Sequence, residues 1–526
     1  MVSLHSYRRT SLTSNRSSGE DSKFAGADDE TSVIEPDQGN VLTHIISQLR
    51  PGADLSRVVL PTFILEPKSM LERITNFMAH PEFILPLSQV EDPIQRFISV
   101  VKFYLSGWHI RPPGVKKPLN PILGETFSCY WDFPDRTKGY YISEQTSHHP
   151  PKSSYFYMAP EHHIRIDGCL KPRSKFLGNS AASLMEGIAV LRFLNRGDVT
   201  KGERYIVTQP NMYARGILFG KMKYELGDHS FVRCPELGLC ADIEFKTKGY
   251  FSGAYNLIGG TIKNYRTGET LYEIGGLWSG EMTIKDIKIG KKEVLFNATT
   301  SKHTPPLVRP LEEQDERESQ KLWFRTTQAI KERKHDVATD EKTRIEDMQR
   351  DEAAKRSEDG EEWHPRLFRP VNGESDDLEE GLEDLDWILN AKIDGPTAEI
   401  QVEQILAVTP ILPGQKNIKR DSVIAHSHQS VHTDSTPITF PQDSQDPLVE
   451  NPHVPDAEEI PSPDVSRMHT NVCSSLQRNK LEGIDSPSHH HENRTKELEV
   501  IKNLALKEMD TEGSNSCDKS QDVLGI

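Results

Sequence analysis

Glu144-Gln145-Thr146-Ser147-His148-His149-Pro150-Pro151 is the stretch from which the rest of this chain is read. The residues before it, Tyr140-Tyr141-Ile142-Ser143, are mostly aromatic and β-branched and read as a β-strand. The two prolines fix φ and force the preceding residues extended, so the strand breaks there. Neighbouring side chains on extended backbone point to opposite faces. One imidazole can therefore face a cavity while its neighbour stays near the rim. Each ring can offer an N–H to an anion, and each becomes a cation if protonated. The same residues also fit a plain strand-end turn with two surface histidines, and the rest of the chain must decide.

Working outward, residues from about Thr126 to Ala298 alternate in the manner of β-strands. Examples are Tyr155-Phe156-Tyr157-Met158, Ala189-Val190-Leu191-Arg192-Phe193 and Glu293-Val294-Leu295-Phe296. Turns are expected at Gly227-Asp228 and Thr267-Gly268. Many short strands in succession predict a large antiparallel barrel or sandwich. A barrel wide enough to hold a ligand is the more functional option. Leu60-Pro61-Thr62-Phe63-Ile64-Leu65-Glu66-Pro67 opens a region expected to be helical to about Trp108, with Met70, Leu71, Ile74, Phe77 and Met78 at helical spacing. Residues 312–356 are charged and read as helical. Val41, Leu42, Ile45, Ile46 and Leu49 form one apolar stripe stopped by Pro51-Gly52. That short amphipathic helix fits either core packing or a lid.

The charge is uneven. Of 526 residues with net charge −16, residues 371–526 hold 30 acidic and 12 basic side chains, so the first 370 are near neutral. A neutral globular part with an acidic tail argues against nucleic acid as a partner. The six cysteines lack a pairing pattern, a CxxC or zinc-like spacing. No segment approaches the roughly 18 to 20 apolar residues of a membrane span, and no signal-like run opens the chain. These features predict a reduced, cytoplasmic protein that touches membranes only peripherally. Residues 1–32 and most of 371–526 are expected to be disordered, with an ordered patch at about 386–413.

EQTSHHPP resembles the signature of the oxysterol-binding-protein-related family of lipid-transfer proteins. The resemblance extends to Lys116-Lys117-Pro118-Leu119-Asn120-Pro121-Ile122-Leu123-Gly124-Glu125, Lys248-Gly249-Tyr250-Phe251-Ser252-Gly253, Trp278-Ser279-Gly280 and Trp363, in order, over roughly residues 38–370. It implies an α+β, mainly β fold: a near-complete antiparallel β-barrel enclosing a lipid tunnel, with an N-terminal lid and helical additions. The lipid-transfer domain would span 33–370. Within it the lid would cover about 38–55, a helical segment 60–108, the barrel about 120–300 and C-terminal helices 312–356.

The resemblance also implies a site. Lys342, Glu346 and Arg350 stand at i, i+4 and i+8 of a predicted helix and share one face, which alone would read as a solvated ion-paired surface. In the family such a trio completes a phosphoinositide site with the two histidines and the LNP segment. That implies Lys117, Asn120, His148, His149, Lys342, Glu346 and Arg350 as headgroup contacts, with Glu346 orienting the two basic residues or accepting an inositol hydroxyl. The segments Leu60–Phe77, Pro172–Ser180 and Cys240–Phe245 are similar to the phosphatidylserine-carrying branch. By that likeness Leu60, Lys117, Asn120, Arg173 and Ser174 would meet the serine headgroup. Arg173 stands where that branch is expected to have lysine, which changes the geometry of the contact. The implied cargoes are phosphatidylserine and phosphatidylinositol 4-phosphate, exchanged between endoplasmic reticulum and plasma membrane at their contact sites, with no cofactor. A sterol carrier or sensor of the same fold is the alternative.

A tunnel suits that cargo. Each methylene brought into water costs roughly 0.8 kcal/mol, so a sixteen-carbon chain is worth on the order of 10 kcal/mol. A closed apolar cavity replaces the bilayer where an open groove does not. Hydrolase chemistry finds no support: Gly276-Leu277-Trp278-Ser279-Gly280 lacks the spacing of a nucleophile elbow. His148-His149, His162-His163 and His489-His490-His491 lack cysteines or carboxylates at metal-ligand spacing.

Overall fold

The structure is a computed structural model that describes residues 52, 61–112, 114–198, 201–217, 222–249, 253–371 and 385–415. The lid residues Val41, Leu42, Ile45, Ile46 and Leu49, together with Leu60, lie outside the described residues.

Alternation between 126 and 297 builds one 13-stranded antiparallel sheet. Its strands are β3 (Thr126–Asp132), β4 (Lys138–His148), β5 (Pro151–Ala159), β6 (Ile164–Phe176) and β7 (Ser180–Asp198). They continue with β8 (Gly202–Val207), β9 (Asn211–Arg215), β10 (Lys223–Cys234), β11 (Leu239–Lys246) and β12 (Leu257–Asn264). The last are β13 (Thr270–Leu277), β14 (Glu281–Asp286) and β15 (Lys292–Asn297). Neighbours follow chain order from β15 back to β3, except that β8 and β9 share the space between β7 and β10. Two short strands, β1 (Leu65–Ser69) and β2 (Lys117–Leu119), pair in parallel apart from this sheet.

The concave face is aromatic and aliphatic, with Trp131, Tyr141, Tyr155, Tyr157, Phe193 and Phe245 buried. Helix α1 (Pro93–Ser106) packs into it through Phe97, Val100, Val101, Phe103 and Tyr104. Asp92 caps α1 by accepting from the N–H groups of Ile94 and Gln95, and Pro93 fills the first helical position, where no N–H is needed. A bidentate ion pair from Arg96 to Glu203, 2.7 Å on each arm and buried, fixes α1 to β8.

Two expectations change. The region 60–108 is helical but broken: Leu65–Ser69 is a strand, Met70–Arg73 a single α-helical turn, and short 3-10 turns at 74–89 lead on to α1. Pro67, Pro81 and Pro86 deny the amide donors that a continuous helix requires. Gly227-Asp228 is not a turn but lies inside β10. There Asp228 takes φ of +69°, and its carboxylate accepts from Asn211 Nδ2 and Tyr213 Oη, both at 2.6 Å. At that point β10 passes from pairing with β9 to pairing with β11.

β4 and β5 are buried on both faces. Tyr141, Tyr155 and Tyr157 point inward. Tyr140, Ile142, Phe156 and Met158 point outward into a second core with Leu367, Phe368, Leu389, Ile393, Ile405 and Ile411. The covering layer is β16 (Phe368–Pro370) paired with β17 (Trp387–Leu389), then a helix, Ala398–Val408. Ser128 Oγ donates to the Pro410 carbonyl at 2.9 Å. Asp386 receives Lys152 and Lys171 at 2.7 and 2.8 Å. Residues 385–415, the region of the expected patch at 386–413, are thus part of the barrel wall beyond the limit of 370.

Candidate functional site

The LNP segment is held from below. Leu119 and Ile122 are buried with Leu65, Trp323 and Ile345, while Asn120 between them is exposed. Gly124 takes φ of +74°, and an added Cβ would sit 2.5 Å from the Trp363 ring, so only glycine fits. Glu125 is completely buried and gathers four donors. Ser69 Oγ and Ser319 Oγ reach Oε1, while Trp323 Nε1 (2.8 Å) and Ile122 N (3.1 Å) reach Oε2. Burial raises its pKa, and these hydrogen bonds oppose the rise. Glu125 therefore ties the loop to helices α2 (Ser319–Leu322) and α3 (Phe324–Lys331).

Most of the EQTSHHPP stretch is also support. The buried Glu144 carboxylate accepts the backbone N–H groups of Arg366 (2.8 Å) and Leu367 (2.7 Å), pinning the outer layer; burial raises its pKa against these bonds. Gln145 bridges Ser147 and Ser153. Thr146 meets Ser154 at 3.0 Å. His148 is half-buried and His149 exposed, their rings edge to face at 4.6 Å.

Helix α4 (His335–Asp359) closes the wall. Ile345 is its apolar anchor on Leu119 and Ile122. One turn to either side of this anchor stand Lys342 with Glu346, paired at 2.6 Å and mostly shielded, and Gln349. Gln349 Oε1 accepts from Leu123 N at 2.7 Å, so its amide nitrogen is the group 2.8 Å from His148 Nε2. That nitrogen donates, and His148 Nε2 must accept. His148 is consequently neutral, with its proton on Nδ1. Burial and the neighbouring His149 lower its pKa, against the Pro121 carbonyl and Glu346. Nδ1 is itself shielded and makes no well-formed hydrogen bond.

Beside this wall lies a cavity of about 190 Å³. Lys117, Asn120, Gln145, Ser153 and Ser174 give it a polar edge; Met70, Leu119, Met185, Met212 and Tyr224 make the rest apolar. Two smaller cavities, about 50 and 40 Å³, continue it into the barrel. The first shares Met70, Met185, Met212 and Tyr224 with the large one, and the second shares Phe77 and Gln209 with the first. Gln209 Oε1 is buried there without a partner.

The expected residues thus divide. Lys117, Asn120 and Ser174 edge the cavity. His148, His149, Lys342 and Glu346 belong to the adjoining wall. Two are corrected. Arg173 is exposed on the outer face and paired with Glu186, because strand alternation turns Pro172 and Ser174 inward and Arg173 out. Arg350 is exposed and paired with Asp347, so Glu346 holds Lys342 but not both basic residues. Gln349 was missed; its spacing of seven from Lys342 marks the same helix face, but nothing in its type distinguishes it. Among the described residues no group of three His, Cys, Asp or Glu is placed to hold a metal ion. No helix among them is long and apolar enough to cross a membrane.

Comparison with known proteins agrees with this geometry. The family model for oxysterol-binding protein matches residues 44–392. The chain is 53% identical over 388 residues to the oxysterol-binding protein-like protein OBPa of Candida albicans, covering 73% of this chain and 88% of that one. It is 51% identical over 418 residues to oxysterol-binding protein homolog 6 of Saccharomyces cerevisiae, covering 78% and 91%. In fold it is similar to the Osh1 ORD domain crystallised with ergosterol, with a TM-score of 0.57 at 23% identity, over 72% of this chain and 90% of that one. With a signature loop, a helical wall and a β-enclosed apolar cavity all in register with that match, the chain belongs to the oxysterol-binding protein family of lipid-transfer proteins.

Proposed function

We propose that this protein carries one phospholipid at a time between membranes, exchanging phosphatidylserine for phosphatidylinositol 4-phosphate. The observation that carries the reading is the cavity: an apolar interior whose polar edge holds Lys117, Asn120 and Ser174 beside the wall of His149, Lys342 and Glu346. Acyl chains would occupy the interior, where their burial replaces that of the bilayer. Lys117 and Lys342 would neutralise phosphate, His149 would donate to it, and Asn120 and Ser174 would hydrogen-bond the headgroup. Glu346 holds Lys342 in place until an anion arrives. Both headgroups would draw on Lys117 and Asn120, so the two lipids compete for one chamber. A gradient of the phosphoinositide then gives transport its direction. Nothing in this cycle breaks a covalent bond, so the protein acts as a carrier and not an enzyme. The proposed setting is cytoplasmic, peripheral at contacts between endoplasmic reticulum and plasma membrane.

Mass spectrometry of lipid co-purifying with the full chain tests the reading. Phosphatidylserine near one per protein, displaced by added phosphatidylinositol 4-phosphate, is expected. A sterol in its place would overturn the phosphatidylserine assignment; the Osh1 domain crystallised with ergosterol makes sterol the rival cargo. The double substitution His148→Ala/His149→Ala, if folded, should abolish phosphoinositide extraction. Retained extraction would remove both histidines from the site.

A further inference from the structure

Extended backbone sends residues two apart to the same face. Val207 ends β8 packed against the inner core, so Gln209 also turns inward. It falls in the link between β8 and β9, Thr208-Gln209-Pro210, where Pro210 has no N–H to give to a ladder and the chain steps from one strand to the next. The link is tied at its first residue. Thr208 N donates to the Phe231 carbonyl at 3.0 Å, and Thr208 Oγ1 accepts from Phe231 N at 2.8 Å. Gln209 thus grows from a fixed root and is only 6% exposed. An inward position of this kind ordinarily carries an aliphatic side chain.

Inside the barrel Gln209 stands at a step in the cavity. It lines both of the small inner chambers, together with Phe77. The chamber of about 50 Å³ adjoins the main cavity. Among its polar side chains, Asn76 Nδ2 donates to the Ile110 carbonyl at 2.9 Å, and Arg73 pairs with Glu66 at 3.3 Å. Two others are left over: Trp108 Nε1, a donor, and Gln209 Oε1, an acceptor, are both buried with no partner among the described residues. A chamber of this size has room for a water molecule that accepts from the first and donates to the second. Beyond Gln209 the innermost chamber, about 40 Å³, is walled largely by Val100, Phe103, Ile166, Leu191 and Val207. A hydrocarbon chain that runs on into this space must pass Gln209. It then covers an amide oxygen and an indole N–H that it cannot hydrogen-bond, and burying polar groups unmet is costly.

Building on the carrier reading, in which acyl chains fill the cavity, we propose that Gln209 is a specificity-determining residue that limits how far a chain enters the barrel. The protein then selects phospholipids whose inner chain ends before Gln209. An apolar side chain at this position would join the chambers into one longer apolar path.

Extraction by the full-length chain tests this. The phosphatidylcholine vesicles hold ergosterol and an equal mixture of phosphatidylserines with saturated chains of fourteen, sixteen, eighteen and twenty carbons. Mass spectrometry of the protein-bound lipid gives the distribution of lengths. All lengths share one headgroup and one vesicle, so comparing variant with wild type isolates the chain. Gln209→Met, the apolar side chain nearest in length and flexibility, should raise the ratio of the longest bound phosphatidylserine to the shortest about tenfold over wild type, the size of one unmet hydrogen bond. Gln209→Leu should move the ratio the same way. Both variants lose an unmet buried polar group and should melt no lower than wild type. A ratio that stays at the wild-type value, or a loss shared equally by all lengths, overturns the proposal and leaves the carrier reading standing. So does a melting temperature lowered in both variants, which would make Gln209 a structural residue. Wild-type protein that takes up ergosterol and none of the phosphatidylserines overturns both readings.

Discussion

Glu125 and Glu346 belong to one wall of the cavity and do opposite things. Glu125 is completely buried and accepts four hydrogen bonds from a loop, a strand, a helix and the turn that joins it to the next. Glu346 is partly exposed and holds a single lysine. The first is a strut whose removal strands its donors. The second is a rim charge in a screened setting, where an ion pair adds little to stability. The same division runs through the signature stretch, where Glu144, Gln145 and Thr146 brace the fold while His149 and Pro150 are presented outward. A motif of this kind therefore encodes mostly the frame and only secondarily the contact.

The largest test of that division asks where the frame ends. Chains stopped after 370 and after 415 differ by most of the layer covering Tyr140, Ile142, Phe156 and Met158, namely Leu389, Ile393, Ile405 and Ile411. Uncovering four such side chains should cost on the order of 5 kcal/mol or more, comparable to the stability of a whole domain. Thermal unfolding should show the shorter chain molten or insoluble and the longer one cooperative. If the 370 chain melts like the 415 chain, the outer layer is a passenger.

Next in size is Glu125. Glu125→Ala leaves the N–H groups of Trp323 and Ile122 buried without acceptors, a cost of about 3–4 kcal/mol with the accompanying void. Glu125→Gln keeps one acceptor for them and can donate to the Ser69 and Ser319 hydroxyls, so about 1–2 kcal/mol is expected. Glu346→Gln should change the melting temperature by almost nothing. Denaturant midpoints for the three variants check the order, and equal losses from Glu125→Gln and Glu346→Gln would erase the distinction between strut and rim.

What the sequence made legible follows the same line. Alternation in Tyr155–Met158 and Glu293–Phe296 specifies strands because a pleated chain must show it, whatever its partners. The helix carrying Lys342 and Glu346 was readable because spacing alone puts them on one face. The outward direction of Arg173 was not legible because likeness to a family carries residue type, while strand parity decides direction, and parity depends on the register of β6 against β7. Asp228 was misread because a Gly-Asp pair serves a turn and a strand irregularity equally well, and only the switch of β10 between partners separates them. Gln349 was invisible because its role comes from a hydrogen bond across more than 200 residues of chain.

The smallest effect sharpens the comparison most, because it concerns the one histidine that is neither wholly strut nor wholly rim. Gln349 donates to His148 Nε2, and a protonated ring would meet it donor to donor. The folded-state pKa of His148 lies below its ordinary value, so its contribution to stability is present above about pH 6.5 and fades as the pH falls below that. Gln349→Glu reverses the sign. A carboxylate can still accept from Leu123 N, and it turns His148 Nε2 into a donor, pairing with the imidazolium and raising the pKa. The stabilisation then holds in acid and disappears as the pH rises through the raised pKa. The net change in stability near neutral pH should stay within about 1 kcal/mol, since the site is partly open to solvent. The imidazole nitrogen shifts of His148, followed by NMR through a pH titration, should report the Nδ1–H tautomer in the wild type and an imidazolium persisting above pH 7 in the variant. An unchanged titration would mean that Gln349 packs beside His148 without setting its proton, and His148 would then belong with the rim.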